Sequence, residues 1–218
     1  MDKAISVRNV VKKARLIFWD FDGVIKESID IKTKAFIALF QQYGMELAEK
    51  IKNHHEANGG MSRLVKFPIY LEWANEKVTP ERLHVLNKTF NLLSLDGVVN
   101  APWVPGAEEY LRNNPDRKLF VVISATPKEE LVNILEQLDL SDVFIAIYGS
   151  PTSKKDAIAE VLQKHNLAPA NAIMIGDSIA DFEAAAANHV PFVLRRNASN
   201  ASLFLSYTGH SIDKISEL

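Results

Sequence analysis

Apolar residues gather in short unbroken runs at Leu16 to Trp19, Leu119 to Ile123, Val143 to Tyr148, Ala172 to Ile175 and Val190 to Leu194. A strand with one face in water alternates apolar and polar residues, so runs that are apolar throughout predict strands covered on both faces, as in parallel sheets. Between the later runs the period changes. Glu129 to Leu138 places Leu131, Ile134, Leu135 and Leu138 at helical spacing, and Asp156 to His165 does the same with Ile158, Val161 and Leu162. This alternation predicts a parallel α/β sheet, whose ligands bind beyond the carboxyl ends of the strands.

The first and second runs are separated by roughly a hundred residues, far more than one crossover helix needs. Ile29 to Tyr43, with Ile31, Ala35, Phe36, Leu39 and Phe40, and Pro80 to Leu93, with Leu83, Leu86, Phe90 and Leu93, read as amphipathic helices. The intervening segment is therefore expected to be a mainly helical insert. It would end at Asn100-Ala101-Pro102-Trp103-Val104-Pro105-Gly106, where prolines and a glycine punctuate the chain before a helix from Ala107 to Arg112. The expected division is a core of residues 1–28 and 103–218 with a cap of residues 29–102.

Composition narrows the chemistry. The 218 residues are 47% hydrophobic and 24% charged, an ordinary globular balance. A formal charge of −2 offers no positive field for nucleic acid or an anionic membrane. There is no cysteine, which removes disulfides, thiolate nucleophiles and zinc-thiolate sites. Lysines and arginines interrupt the first fifteen residues, and no run reaches spanning length, so the expectation is a soluble, cytoplasmic protein.

Each of the first four apolar runs is followed by residues able to do chemistry. Asp20-Phe21-Asp22-Gly23 sets two carboxylates at a strand end, with a glycine that permits a sharp turn. One carboxylate can attack phosphorus while the other moves a proton, although Asp and Gly are also common in plain surface turns. Ser124-Ala125-Thr126-Pro127 offers a hydroxyl and free amides beside a helix amino end, a place equally suited to an anion or to simple capping. Ser153-Lys154-Lys155-Asp156 brings lysine to the start of a helix, where only a nearby anion makes a cation welcome. Lys154 is the preferred member, because Ile158 follows it by one helical turn. In Gly176-Asp177-Ser178-Ile179-Ala180-Asp181 the spacing of Asp177 and Asp181 can put both carboxylates on one side and supply hard oxygen ligands for Mg2+.

With these four signals the chain resembles the haloacid dehalogenase superfamily, whose motifs match Asp20-Phe21-Asp22-Gly23-Val24, Ser124, Lys154 and Gly176-Asp177-Ser178 with Asp181. The resemblance implies a Rossmann-like parallel-sheet core with an inserted α-helical cap, similar to phosphoglycolate phosphatase and β-phosphoglucomutase relatives. It further implies Asp20 as nucleophile, Asp22 as general acid and base, and Ser124, Ala125 and Lys154 as phosphate binders. Mg2+ would be held by Asp20, Asp177, Asp181 and the Asp22 main-chain carbonyl, and the substrate would be a small phosphorylated metabolite. The chain departs from the family pattern at Lys26-Glu27-Ser28 and at Lys155, where proline is usual.

Halide departure needs no leaving-group proton, so a second acid and a metal pair favour phosphate over dehalogenation. A phosphomutase needs the same residues and differs only in its acceptor. A non-catalytic binding module on this fold has no use for clustered, mutually repelling acids. Within the insert, His54-His55-Glu56-Ala57-Asn58-Gly59-Gly60-Met61-Ser62-Arg63 is expected to be a flexible turn facing the site, with Arg63 reaching a substrate anion.

Overall fold

The structure, a computed structural model, describes residues 3–218; Met1 and Asp2, counted in the expected core, lie outside them. Six strands form one parallel sheet: β1 (Leu16–Trp19), β2 (Leu119–Pro127), β3 (Ala146–Ser150), β4 (Ala172–Gly176), β5 (Phe192–Arg195) and β6 (His210–Ile212). Their order is β3-β2-β1-β4-β5-β6, with Leu16 paired to Leu119 on one side and to Ala172 on the other. All four residues of β1 are buried, because successive side chains enter opposite cores. Ile17 and Trp19 join Phe120, Val122, Ile173 and Ile175 in one; Leu16 and Phe18 join Val121, Ile123, Ala172 and Met174 in the other.

The first core is covered by α1 (Lys3–Lys13), α6 (Ala107–Asn113) and α7 (Lys128–Gln137), the second by α8 (Lys154–Lys164) and α9 (Ile179–Ala187). The segment between β1 and β2 carries α2 (Ile29–Phe40), α3 (Met45–Ala57), α4 (Arg63–Trp73) and α5 (Pro80–Asn100). These four surround an aromatic-rich cluster of their own, in which Phe36 meets Tyr70 edge-on at 5.6 Å. The chain enters and leaves this helical unit along two adjoining segments. Glu27 N–H donates to the Pro102 carbonyl (2.9 Å), Val104 N–H donates to that of Ile25 (3.0 Å), and the Lys26 ammonium lies 4.3 Å over the Trp103 ring.

Three expectations change. β3 begins at Ala146, because Val143 closes a turn and Phe144 and Ile145 lead from it into the strand. The polar stretch from His54 to Arg63 is helix at both ends, with a short turn over Asn58 to Ser62. β6 and α1 have no counterpart in the apolar runs, since β6 is only three residues long and α1 carries a thin apolar stripe. Among the described residues no helix is long and apolar enough to cross a membrane.

Candidate active site

The strand order reverses between β1 and β4, the place where a parallel sheet opens a crevice beyond the carboxyl ends of its strands. Asp20 stands at the end of β1, its backbone N–H bound to Ile175 of β4 (3.0 Å). The chain then turns at Gly23, which has a φ of 75°. A Cβ here would come within 2.2 Å of Asp177 Oδ2, so glycine both permits the turn and lets the two acidic loops touch. Arg195 Nη1 donates to the Gly23 carbonyl (3.1 Å) and its guanidinium pairs with Glu27, pinning the loop from beneath.

The three carboxylates of Asp20, Asp177 and Asp181 lie within 4.8 Å of one another and are all buried. One cation joins two of them: Lys154 Nζ donates to Asp20 Oδ1 (2.8 Å) and to Asp181 Oδ1 (2.6 Å). Lys155 is exposed, so the two adjacent lysines have separate fates. Asp181 closes a capping box, accepting at Oδ2 from the Ser178 hydroxyl (2.6 Å) and N–H (3.0 Å). Asp177 Oδ2 accepts from Asn197 Nδ2 at 2.8 Å, while Asn200 donates to the Asp177 carbonyl.

Electrostatics follow from crowding. Burial, then Asp181, pushes the pKa of Asp20 up to about 7 against the pull of Lys154. Burial, then Asp20 and Asp181, pushes Asp177 well above the carboxylate range. Lys154 is raised despite burial, because Asp181 and Asp20 outweigh desolvation. Three buried acids around one ammonium leave an excess of negative charge, and their hard oxygens suit a divalent cation.

Asp22 has different company. Lys32 Nζ donates to its Oδ2 (2.5 Å), and the Ser28 hydroxyl to its Oδ1 (2.6 Å). Burial pushes its pKa up, but the charge and hydrogen bond of Lys32 prevail and hold it below the usual value. Lys32 also donates to Thr126 Oγ1 at 2.7 Å. Ser124 is buried and its Oγ accepts from Thr126 N–H (3.1 Å); Ala125 and Thr126 line the crevice.

The helical unit roofs this edge over a partly open cavity of about 350 Å³. Phe36, His55, Gly60, Met61, Lys66 and Phe90 supply much of the roof. Gly60 sits so close to the fourth loop that a Cβ would fall 2.5 Å from Ser178 Oγ, and Ser62 Oγ donates to Ser150 Oγ (2.9 Å).

The structure thus brings together Asp20, Asp22, Ala125, Lys154, Asp177 and Asp181, with Ser124 just behind. It corrects the expectation for Arg63. That residue borders the cavity, but its guanidinium is taken by Glu130 of α7, with Nη1–Oε1 at 3.1 Å and Nη2–Oε2 at 2.5 Å, and by Asn87 through Nε. A buried bidentate carboxylate leaves no free fork for a substrate anion. Sequence reasoning missed Lys32, Lys66 and Asn197 as site residues. For Lys32 the signal was available, because Ser28 and Lys32 are four apart across the start of α2 and so share a face.

The family model for haloacid dehalogenase-like hydrolase matches residues 17–194. No curated protein matches the chain. Among solved structures, β-phosphoglucomutase from Clostridium difficile superposes with a TM-score of 0.75 at 22% identity, covering 94% of this chain and 93% of that one. CbbY from Rhodobacter sphaeroides, solved with xylulose-1,5-bisphosphate, gives a TM-score of 0.76 at 13% identity, covering 94% and 96%. A haloacid dehalogenase-like hydrolase from Streptococcus pneumoniae gives 0.67 at 20% identity, covering 92% and 93%. At these identities the structural likeness carries the fold, and the family match carries the class: the chain belongs to the haloacid dehalogenase-like hydrolases.

Proposed function

We propose that this protein is a Mg2+-dependent phosphatase that hydrolyses small phosphate monoesters through an aspartyl-phosphate on Asp20. The observation that carries the reading is the buried trio Asp20, Asp177 and Asp181 gathered around Lys154 at the sheet's switch point. Such crowding is costly unless a cation and an anionic substrate complete it.

Asp20 and Asp177 each keep an oxygen that no other described side chain engages, whereas both oxygens of Asp181 are committed to Lys154 and Ser178. Direct metal ligation is therefore assigned to Asp20 and Asp177, with the Asp22 carbonyl beside them, and Asp181 orients Lys154. Bound Mg2+ supplies positive charge that lets an ionised carboxylate and a phosphate approach each other.

The chain's own residues do the rest. A carboxylate oxygen of Asp20 attacks phosphorus, the bond from phosphorus to the ester oxygen breaks, and Asp22 gives that oxygen its proton. A water then attacks the acyl phosphate; Asp22 takes its proton, phosphate leaves and Asp20 is regenerated. Lys154, Ser124 and the amides around Ala125 bind the phosphoryl oxygens. Lys32 favours the ionised, base form of Asp22, so its hydrogen bond must loosen before the first proton transfer. A roofed cavity of this size suits a small ester.

The test is phosphate release from a panel of small monoesters with and without Mg2+. Metal-dependent release is expected. Transfer of phosphate to a second sugar hydroxyl in place of water would identify a phosphomutase, and no turnover of any ester would refute both.

A further inference from the structure

Three lysines reach the cavity, and two answer carboxylates: Lys154 pairs with Asp20 and Asp181, and Lys32 with Asp22. Lys66 does not. It projects from α4 at 1% exposure, and no carboxylate among the described residues lies within ion-pair distance of it. Its one hydrogen bond is to a neighbouring base, Nζ to His55 Nδ1 at 2.7 Å. A histidine that accepts at Nδ1 carries its proton on Nε2, and His55 Nε2 is buried without a partner. It is the sole side-chain polar atom so orphaned among the described residues that line the cavity.

Among the described residues the site therefore presents an ammonium with no carboxylate in ion-pair distance and, beside it, a buried imidazole N–H with no acceptor. A buried cation without a counter-charge is costly to keep. Burial, then Lys32, lowers the pKa of Lys66 to about 7, with Asp22 pulling the other way, and His55 is held well below its usual value. Aromatic surface lies against the pair: the Phe36 ring is tilted at 48° to that of His55 with centroids 4.7 Å apart, and Lys66 stands 5.6 Å above Phe36. An anion placed there would meet charge and hydrogen bonds together in low dielectric.

We propose that Lys66 and His55 form a second anion subsite in the roof of the cavity, so that the natural substrate is a small phosphate monoester bearing a further acidic group, a carboxylate or a second phosphate. This rests on the phosphatase reading above, in which Asp20 receives the reacting phosphate. Arg63, engaged by Glu130, leaves the distal group to this pair.

The experiment compares kcat/KM, with Mg2+ present, for alkyl phosphates, ω-carboxyalkyl phosphates and α,ω-alkane bisphosphates of matched chain length. The acidic esters are expected to be favoured by about tenfold or more at the best length, the scale of one charge-assisted hydrogen bond. Lys66→Met and His55→Leu should each bring the acidic-to-neutral ratio towards one, and Lys66→Arg should keep much of it. Whichever acidic series leads identifies the group. A ratio near one at every length in the wild type, or a ratio unmoved by both substitutions, overturns the subsite. Should the wild type cleave no ester, the phosphatase reading falls separately. Calorimetric binding of an ω-carboxyalkyl phosphonate against its alkyl counterpart then decides the subsite: preference lost in Lys66→Met and His55→Leu supports it, and equal binding overturns it. Thermal unfolding of each variant separates lost recognition from lost structure.

Discussion

The floor and the roof of the cavity handle buried charge in opposite ways. On the floor, the ends of β1 and β4 and the first turn of α9 bring together Asp20, Asp177 and Asp181 beside a single lysine, so the surplus is negative. In the roof, Lys66 and His55 face the same space with no carboxylate among the described residues in ion-pair distance, so the local surplus is positive. The floor is built on rigid parallel strands and tight glycine turns, which fix reacting groups to within a fraction of an ångström. The roof is built on helices around a separate aromatic cluster, where one residue can change without moving the acids. On the reading proposed above, reaction and recognition fall to different parts of the fold.

The sharpest way to break this division is on the floor. Asp20→Asn keeps the size of the side chain but removes the nucleophile, and phosphate release is expected to fall by at least ~1,000-fold. Native thermal unfolding would accompany that loss; if activity survives, the acids are not the reaction centre.

Next in size is the ion pair that joins the two parts. Arg63→Met leaves Glu130 buried and unpaired, which should cost about 3–5 kcal/mol in denaturant unfolding. Adding Glu130→Gln should recover much of it, and a double-mutant cycle without coupling would show that Arg63 does not fasten roof to floor.

A smaller effect should come from pH. In the metal-free protein the pKa of Asp20 is raised from its ordinary 3.8 to about 7. Stability from this group is full below about 3.8 and is lost as pH rises through about 7, so the metal-free Tm should decline across that window. Mg2+ should offset the loss, with a Tm gain that grows with pH; a gain independent of pH would place the metal elsewhere.

The smallest effect belongs to the roof. Lys66→Met exchanges a buried amine for an apolar chain of similar length and should stabilise the protein by about 1 kcal/mol. A destabilised variant would mean that the lysine holds the helices together rather than waiting for a ligand.

Much of this was legible in the sequence, for a physical reason. β1, β2, β4 and β5 are largely buried on both faces, so they read as plain apolar runs, and the acids stand just beyond β1 and β4. Asp20, Asp22, Lys154, Asp177 and Asp181 needed only that local logic. Lys32 and Lys66 did not yield to it, because a lysine on an amphipathic helix looks alike whether water or a cavity faces it. Arg63 was misread for a related reason: its partner, Glu130, is far along the chain and looked like an ordinary acid in a first helical turn. β6 at the sheet edge was too short to carry a pattern.

The two segments that connect floor and roof run side by side, tied by hydrogen bonds between Glu27 and Pro102 and between Val104 and Ile25. Where a long insertion leaves and returns at neighbouring points, the host sees only a closed doorway about one strand spacing wide, ~5 Å. Any other folded unit whose own ends meet at that separation can be spliced in without disturbing the sheet. The same catalytic floor can then be refitted with a new roof, and a new substrate, by exchanging a single contiguous stretch of chain.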